Sequence, residues 1–278
     1  MVCAAARFLR RRGLSARVAV PVFPGTNSEH ETLRALHAVG VDAGIVHWSR
    51  GARTLRDYDA FVVPGGFAYE DRVRAGAVAA HDELTDAIIE GAHAGKLVLG
   101  ICNGAQILVE AGLVPGTGPL RRPTAAFTPN TGGRFVCRHV HVRLEVDPAR
   151  LPVLGALAAG EVIPMWMAHG EGRLQAAPQE LHALQTGGHV AFVYCDARGN
   201  RIAAPNGSAL DCAGLTNAQG NVLALMPHPE RDAWAYMHRD AGRDPTGTDT
   251  ARAMRPSGGI MVFEAFARAL RGVAGARR

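Results

Sequence analysis

The sequence of 278 residues contains a single lysine, Lys96, in a combined lysine and arginine count of 30. Cationic charge is therefore carried almost wholly by arginine. Together with the abundant alanine, this reads as a coding bias and not as a function. The net charge of +5 is concentrated at the two ends, from Arg7 to Arg17 and from Arg268 to Arg278. A basic surface can serve nucleic acid or an acidic partner. Here the middle of the chain is not basic, so the ends read as solvated tails and no nucleic-acid partner is expected. No apolar run approaches the roughly 20 residues of a membrane-spanning helix, so no membrane association is expected either. The five cysteines, Cys3, Cys102, Cys137, Cys195 and Cys212, are odd in number, widely spaced and without a C-x-x-C pair. That argues against a disulfide framework and a structural zinc site, and for a reducing, cytoplasmic location.

There is also no internal repeat and no linker. Hydrophobic residues make up 47% and charged residues 20%, ordinary for a globular chain with a sizeable core. Residues 1–16 are rich in arginine and free of acid. They read as a disordered or basic extension, with a transit peptide or an early start codon as alternatives. Residues 17–278 read as one domain.

Within that domain, apolar runs alternate with helical patterns. Strands are expected at Arg17–Phe23, Asp42–Trp48, Ala60–Val63 and Leu97–Ile101. A helix is expected after Thr26, Asn27 and Ser28, which have capping chemistry, with Leu33, Leu36 and Val39 on one face. Two more are expected, from Asp71 to about His93 and over Gly104–Ala111. Continuously apolar strands alternating with helices predict an α/β fold with a mostly parallel sheet covered on both faces. Ligands then bind beyond the carboxyl ends of the strands, where the glycine- and proline-rich turns after Phe23, Val63 and Ile101 gather. The valine-rich alternation of Phe135–Val146 predicts a peripheral antiparallel β extension, with further strands at His189–Tyr194 and Asn221–Leu225. His238 to about Gly259 reads as an exposed loop, and Ile260–Leu270 as a closing helix.

The most informative local pattern is Gly100-Ile101-Cys102-Asn103-Gly104, between an apolar strand and a helix. In a turn this tight the central residue is strained, and glycines two positions away on each side leave it room. The turn lifts the sulfur over the sheet edge, and the helix N-terminus beneath it favours the thiolate. The Asn103 N–H then points to where an oxyanion would form. A buried core thiol is the plain alternative for an isolated cysteine, but the flanking glycines weigh against it. A thiol nucleophile needs a base and an orienting group. Among 12 histidines, His228 stands out in Met226-Pro227-His228-Pro229-Glu230. In an extended segment Glu230 leaves the same face, placing a carboxylate on the imidazole. A turn with a surface Glu230–Arg231 ion pair competes with that reading. An H-x-E pair also occurs at metal sites, but no second His or Cys cluster has the spacing to complete one, so no metal is expected. The Pro64-Gly65-Gly66-Phe67 turn can bring backbone N–H groups close to a ligand, with Gly66 or its neighbour as a second oxyanion donor, although such turns are usually only turns.

Together these residues resemble the class I glutamine amidotransferases, which carry a flavodoxin-like fold. The combination of FPGTN (Phe23–Asn27), PGGFAY (Pro64–Tyr69), RAGA (Arg74–Ala77), LGICNGAQIL (Leu99–Leu108), RFVCR (Arg134–Arg138), AHGEGR (Ala168–Arg173), PNGS (Pro205–Ser208) and MPHPER (Met226–Arg231) is similar to one branch. That branch comprises the glutaminase subunits of phosphoribosylformylglycinamidine synthase, in purine biosynthesis. The resemblance spans about residues 17 to 235. It implies Cys102 as nucleophile, His228 as base and acid, Glu230 as its orienting group, Gly66 and Asn103 as oxyanion hole, and Gln106 in the glutamine pocket. His169, Glu171 and Arg173 would lie at the active site or a subunit interface, or else form a tight ion-paired turn. It further implies a synthetase partner that uses ATP and magnesium, a small third subunit, and no cofactor on this chain. The family's Asn-x-Ser before the Arg-Phe pair is replaced by Asn130-Thr131-Gly132, which puts that serine's contact in doubt. Three activities remain open: an ammonia-supplying subunit silent until its partner binds, a free-standing amidase or peptidase of the same triad class, and an inactive binding module.

Overall fold

A computed structural model describes residues 16–238 and 254–276. The extension at residues 1–16 falls almost wholly outside this range, as does most of the loop expected from His238 to Gly259. The frame is a nine-stranded mixed sheet in the order β2-β1-β3-β4-β11-β10-β9-β6-β7. Its first half is parallel: β1 (Arg17–Val22), β2 (Asp42–His47), β3 (Ala60–Val63), β4 (Leu97–Ile101) and β11 (Val222–Leu225). β3, β4 and β11 are buried at every residue, as strands covered on both faces must be. Beyond β11 the sheet continues antiparallel through β10 (Cys212–Thr216), β9 (Val190–Cys195), β6 (Val136–Leu144) and β7 (Val162–His169). The expected antiparallel extension is thus continuous with the parallel core. A separate small sheet pairs β5 (Ala125–Pro129) with β8 (Glu171–Ala176).

Helices α1 (Glu29–Ala38) and α2 (Glu83–His93) connect parallel strands, α3 (Asn103–Glu110) follows β4, and α4 (Pro178–Thr186) precedes β9. Helix α5 (Ile260–Ala276) packs against the turn Pro152–Leu154, α1 and the turn Pro229–Asp232, and its Val262, Phe263 and Phe266 are buried. No helix among the described residues is long and apolar enough to cross a membrane.

Two helix expectations need correction. Ser28 occupies the N-cap position of α1, but its side chain does not cap it. The hydroxyl instead donates to Asn27 Oδ1 (3.2 Å) and accepts from Arg231 Nη2 (3.0 Å). The helix expected from Asp71 begins only at Glu83, capped by Asp82, which accepts from Leu84 N at 2.8 Å. Before it, Tyr69, Glu70, Asp71 and Val73 all have positive φ, which excludes a continuous helix.

Candidate active site

Parallel pairing brings the candidate nucleophile and base together. β4 and β11 are neighbours in register, Ile101 opposite Leu225, and Cys102 N donates to Leu225 O at 2.8 Å. Cys102 and His228 therefore leave the same edge of adjacent strands, though 126 positions separate them in the sequence.

The cysteine turn is as tight as its glycines imply. Cys102 has φ 49° and ψ −105°, a conformation L-residues avoid. A Cβ on Gly104 would lie 2.1 Å from Val63 O, and one on Gly100 would lie 2.8 Å from the Gly104 backbone. Neither backbone can yield without moving a central strand. Gly104→Ala should therefore lose about 3 kcal/mol or more of stability, measurable by urea denaturation.

On the other side, β7 holds the histidine. His228 N donates to Trp166 O at 2.7 Å, and Trp166 N returns a long bond to His228 O. Pro229–Asp232 then forms a single helical turn in place of the expected extended segment. Glu230 is fully buried beneath the ring, with Oε1 2.5 Å from His228 Nδ1. The alternative of a surface Glu230–Arg231 pair differs in that Glu230 is buried: Arg231 Nε makes only a long ion pair to Oε1 at 3.9 Å, and His228 is the nearer partner. His228 Nε2 is buried without a hydrogen-bond partner and lines the same cleft as Cys102, whose thiol donates to Ala168 O at 3.8 Å. Burial opposes charge on this imidazole, but Glu230 and then Cys102 outweigh it, so His228 is pushed up to about 10. Burial instead pushes the thiols of Cys195 and Cys212 up, to about 11 and about 12, which makes them inert.

Cys102 and His228 face a cleft of about 180 Å³, lined also by Gly66, Asp71, Gln106, His169, Glu171 and Arg231. Gly66 sits opposite Thr26 in an antiparallel bridge, where Gly65 O accepts from Asn27 and Ser28 N and Phe67 N donates to Gly25 O. That pairing leaves the Gly66 N–H unspent. Asn103 is the first residue of α3, so its N–H has no intrahelical acceptor. Its side chain ties the rim together, accepting from Ala68 N at 2.9 Å and donating to Asp71 Oδ1 at 3.1 Å and Gln106 Oε1 at 3.0 Å. Gln106 Nε2 donates to Glu171 O at 2.5 Å. The Arg74–Ala77 segment is clasped to α3 by a bidentate Arg74–Glu110 pair, Nε to Oε1 at 2.6 Å. Gly76 touches the Gln106 backbone so closely that a Cβ would lie 2.7 Å from it.

The AHGEGR segment divides. β7 ends at His169 and β8 begins at Glu171, so His169 and Glu171 reach the cleft. Arg173 does not: it lies farther along β8, its Nε on Thr128 Oγ1 at 3.4 Å. His169 is pushed down to about 3 by burial and by His228, so it is neutral beside a charged imidazole. Asn130 fixes its tautomer and position, with Oδ1 3.1 Å from His169 Nδ1 and Nδ2 donating to His169 O at 2.7 Å. Sequence reasoning misses the roles of Asn130, Asp71 and Arg231. Burial, and next Glu171, raises the Asp71 carboxyl to about 6 against the Asn103 hydrogen bond.

A thiol, an imidazole and a buried carboxylate thus meet at a cleft of amino-acid size. A family model described as the CobB/CobQ-like glutamine amidotransferase domain matches residues 15–258. The phosphoribosylformylglycinamidine synthase subunit PurQ of Symbiobacterium thermophilum is 47% identical over 218 residues, 77% of this chain and 87% of that one. The chain belongs to the PurQ family of glutamine amidotransferases. The PurQ subunit of Pyrococcus furiosus is 41% identical over 229 residues, 81% of this chain and 93% of that one. Among solved structures, that of PurLQS from Thermotoga maritima superposes with a TM-score of 0.69 and 31% identity, covering 92% of this chain and all of the matched one.

Proposed function

We propose that this chain is the glutaminase subunit of a phosphoribosylformylglycinamidine synthase, converting glutamine to glutamate and ammonia. The observation that carries this reading is the buried Cys102–His228–Glu230 line at the wall of a cleft of about 180 Å³. Clefts that take drug-sized molecules run from roughly 300 Å³ upward, so this one suits a single amino acid better than a peptide.

The Cys102 thiolate attacks the side-chain amide carbon of glutamine, and the N–H groups of Gly66 and Asn103 receive the oxyanion. The imidazolium of His228 gives its proton to the departing ammonia, leaving a thioester. Neutral His228 then deprotonates a water that attacks the thioester, and glutamate leaves as the thiolate is restored. Glu230 holds Nδ1 so that Nε2 faces the sulfur throughout. Gln106 and Asn103 shape the floor of the cleft, and Glu171, Asp71 and Arg231 supply charge at its mouth for the amino and carboxylate groups of the substrate.

Ammonia then passes to a synthetase subunit, which uses ATP and magnesium to convert formylglycinamide ribonucleotide to formylglycinamidine ribonucleotide, with a small third subunit in the assembly. Phe67 and Phe135, about half exposed at the rim of the cleft, are suited to a partner docked over the site. The chain itself needs no cofactor, and the cytoplasm is its place of work. A glutaminase assay of the full chain, alone and with the synthetase subunit and its nucleotide substrate, tests the reading. Slow turnover alone and an increase of about tenfold or more in the complex is expected. Equal turnover alone, or cleavage of peptides, would establish a free-standing hydrolase instead.

A further inference from the structure

Three side chains outside the cleft meet behind the histidine turn. His139 comes from β6, Asp232 from the turn after Glu230, and His238 from the segment after Trp234. Asp232 Oδ1 is 3.5 Å from His139 Nε2 and 3.0 Å from His238 Nδ1, and the three atoms lie within 4.8 Å of one another. The two imidazoles stand edge to face with centroids 4.6 Å apart. The His139 side chain is 3% exposed and that of Asp232 is 0%. His139 Nε2 points into this cluster, buried and without a hydrogen-bond partner. A buried imidazole nitrogen that faces a carboxylate and a second imidazole without a hydrogen bond is costly if nothing occupies the space between them. Ligand atoms around zinc, with bonds of about 2.0–2.1 Å, sit about 3.3 Å apart in a tetrahedron, close to the 3.5 and 3.0 Å that separate Asp232 Oδ1 from the two imidazole nitrogens.

We propose that His139 Nε2, Asp232 Oδ1 and His238 Nδ1 form a site for a divalent transition metal of the zinc type. Two imidazoles and one carboxylate are the donor set such an ion prefers, and a fourth position is left for water. On binding, the proton that His238 Nδ1 shares with Asp232 goes to solvent. The ion would brace the turn that carries Glu230. Asp232 O also accepts from Gly259 N at 3.0 Å, and Trp166, whose backbone bridges His228, sets its ring edge to face on His139 and donates Nε1–H to Met237 O at 2.8 Å. No motif spacing announces this set, because its members come from distant segments of the chain.

The test uses the full chain carrying Cys102→Ala, so that the cleft thiol cannot hold the probe. After treatment with chelator, Zn²⁺ is titrated by calorimetry, the bound metal is counted after dialysis, and Tm is followed. One Zn²⁺ per chain and a raised Tm are expected, with binding weakened at least about a hundredfold in His139→Ala and in His238→Ala. Should His139→Ala fail to fold, His238→Ala decides, since that ring is 29% exposed and lies at the edge of the cluster. No uptake, or uptake unchanged in the variants, overturns the proposal.

Discussion

Cys102→Ala is expected to lower glutamine hydrolysis by about 10⁴-fold or more, because the oxyanion donors alone cannot replace a covalent route. The variant should still fold. The sulfur is buried but small, and its removal should cost about 1 kcal/mol. The backbone at this position allows a sharper test. Its φ of 49° with ψ −105° is strained for any residue with a Cβ, by roughly 1–3 kcal/mol, and alanine keeps that strain. Glycine removes it, at an entropic cost of about 0.5–1 kcal/mol. Cys102→Gly should therefore be more stable than Cys102→Ala by about 1 kcal/mol in urea denaturation, while both are inactive. An alanine variant more stable than the glycine one would mean that the turn is relaxed and the sulfur is not held up by it. Labelling gives a second check. A glutamine-like electrophile should modify Cys102 ahead of the exposed Cys137, whereas a simple alkylating agent should reach Cys137.

Fold and site are legible in the sequence where the decisive forces are local. The strands β3, β4 and β11 are visible because a strand buried on both faces must be apolar at every position, and β1 because only its first residue, Arg17, is exposed. The cysteine turn is visible because its steric demand falls on two glycines in a five-residue window. β7 is not, since Pro164 breaks its pattern; the strand tolerates proline because it lies at the sheet edge, which only the assembled sheet reveals. Hence AHGEGR stands out as a motif without an element, and Arg173 groups with His169 although the corner at Gly170 sends it away from the cleft. The helix expected from Asp71 fails for a similar reason. Asp71 and Val73 take positive φ, and the Asp71 carboxylate accepts from Asn103, 32 positions away in the sequence. Periodicity cannot register such contacts. Asn130 draws notice in the sequence only through the missing serine two positions on, while its side chain clamps His169 across the cleft wall.

Glu230→Gln is expected to lower kcat by about 10³-fold and to change how stability depends on pH. The substitution keeps the shape of a side chain that has no exposed surface, so its effects trace to charge and tautomer. Glutamine can accept from Nδ1–H through its amide oxygen, or turn its NH2 toward Nδ1 and force the proton onto Nε2. The second arrangement leaves no lone pair for the Cys102 proton, and the first leaves the imidazolium without its buried counter-charge. Either way the thiolate–imidazolium pair is disfavoured. In the native chain His228 is raised from about 6.5 to about 10, against burial and chiefly by Glu230. A raised pKa stabilises the fold fully below the unfolded value near 6.5, and that contribution fades as pH climbs toward about 10. The native chain should therefore exceed Glu230→Gln in stability most at mildly acidic pH, and the difference should shrink toward about pH 10. Urea denaturation of the two chains across this range reads the difference directly. A gap that is constant, or that widens with pH, would mean that Glu230 holds His228 in place without supporting its charge.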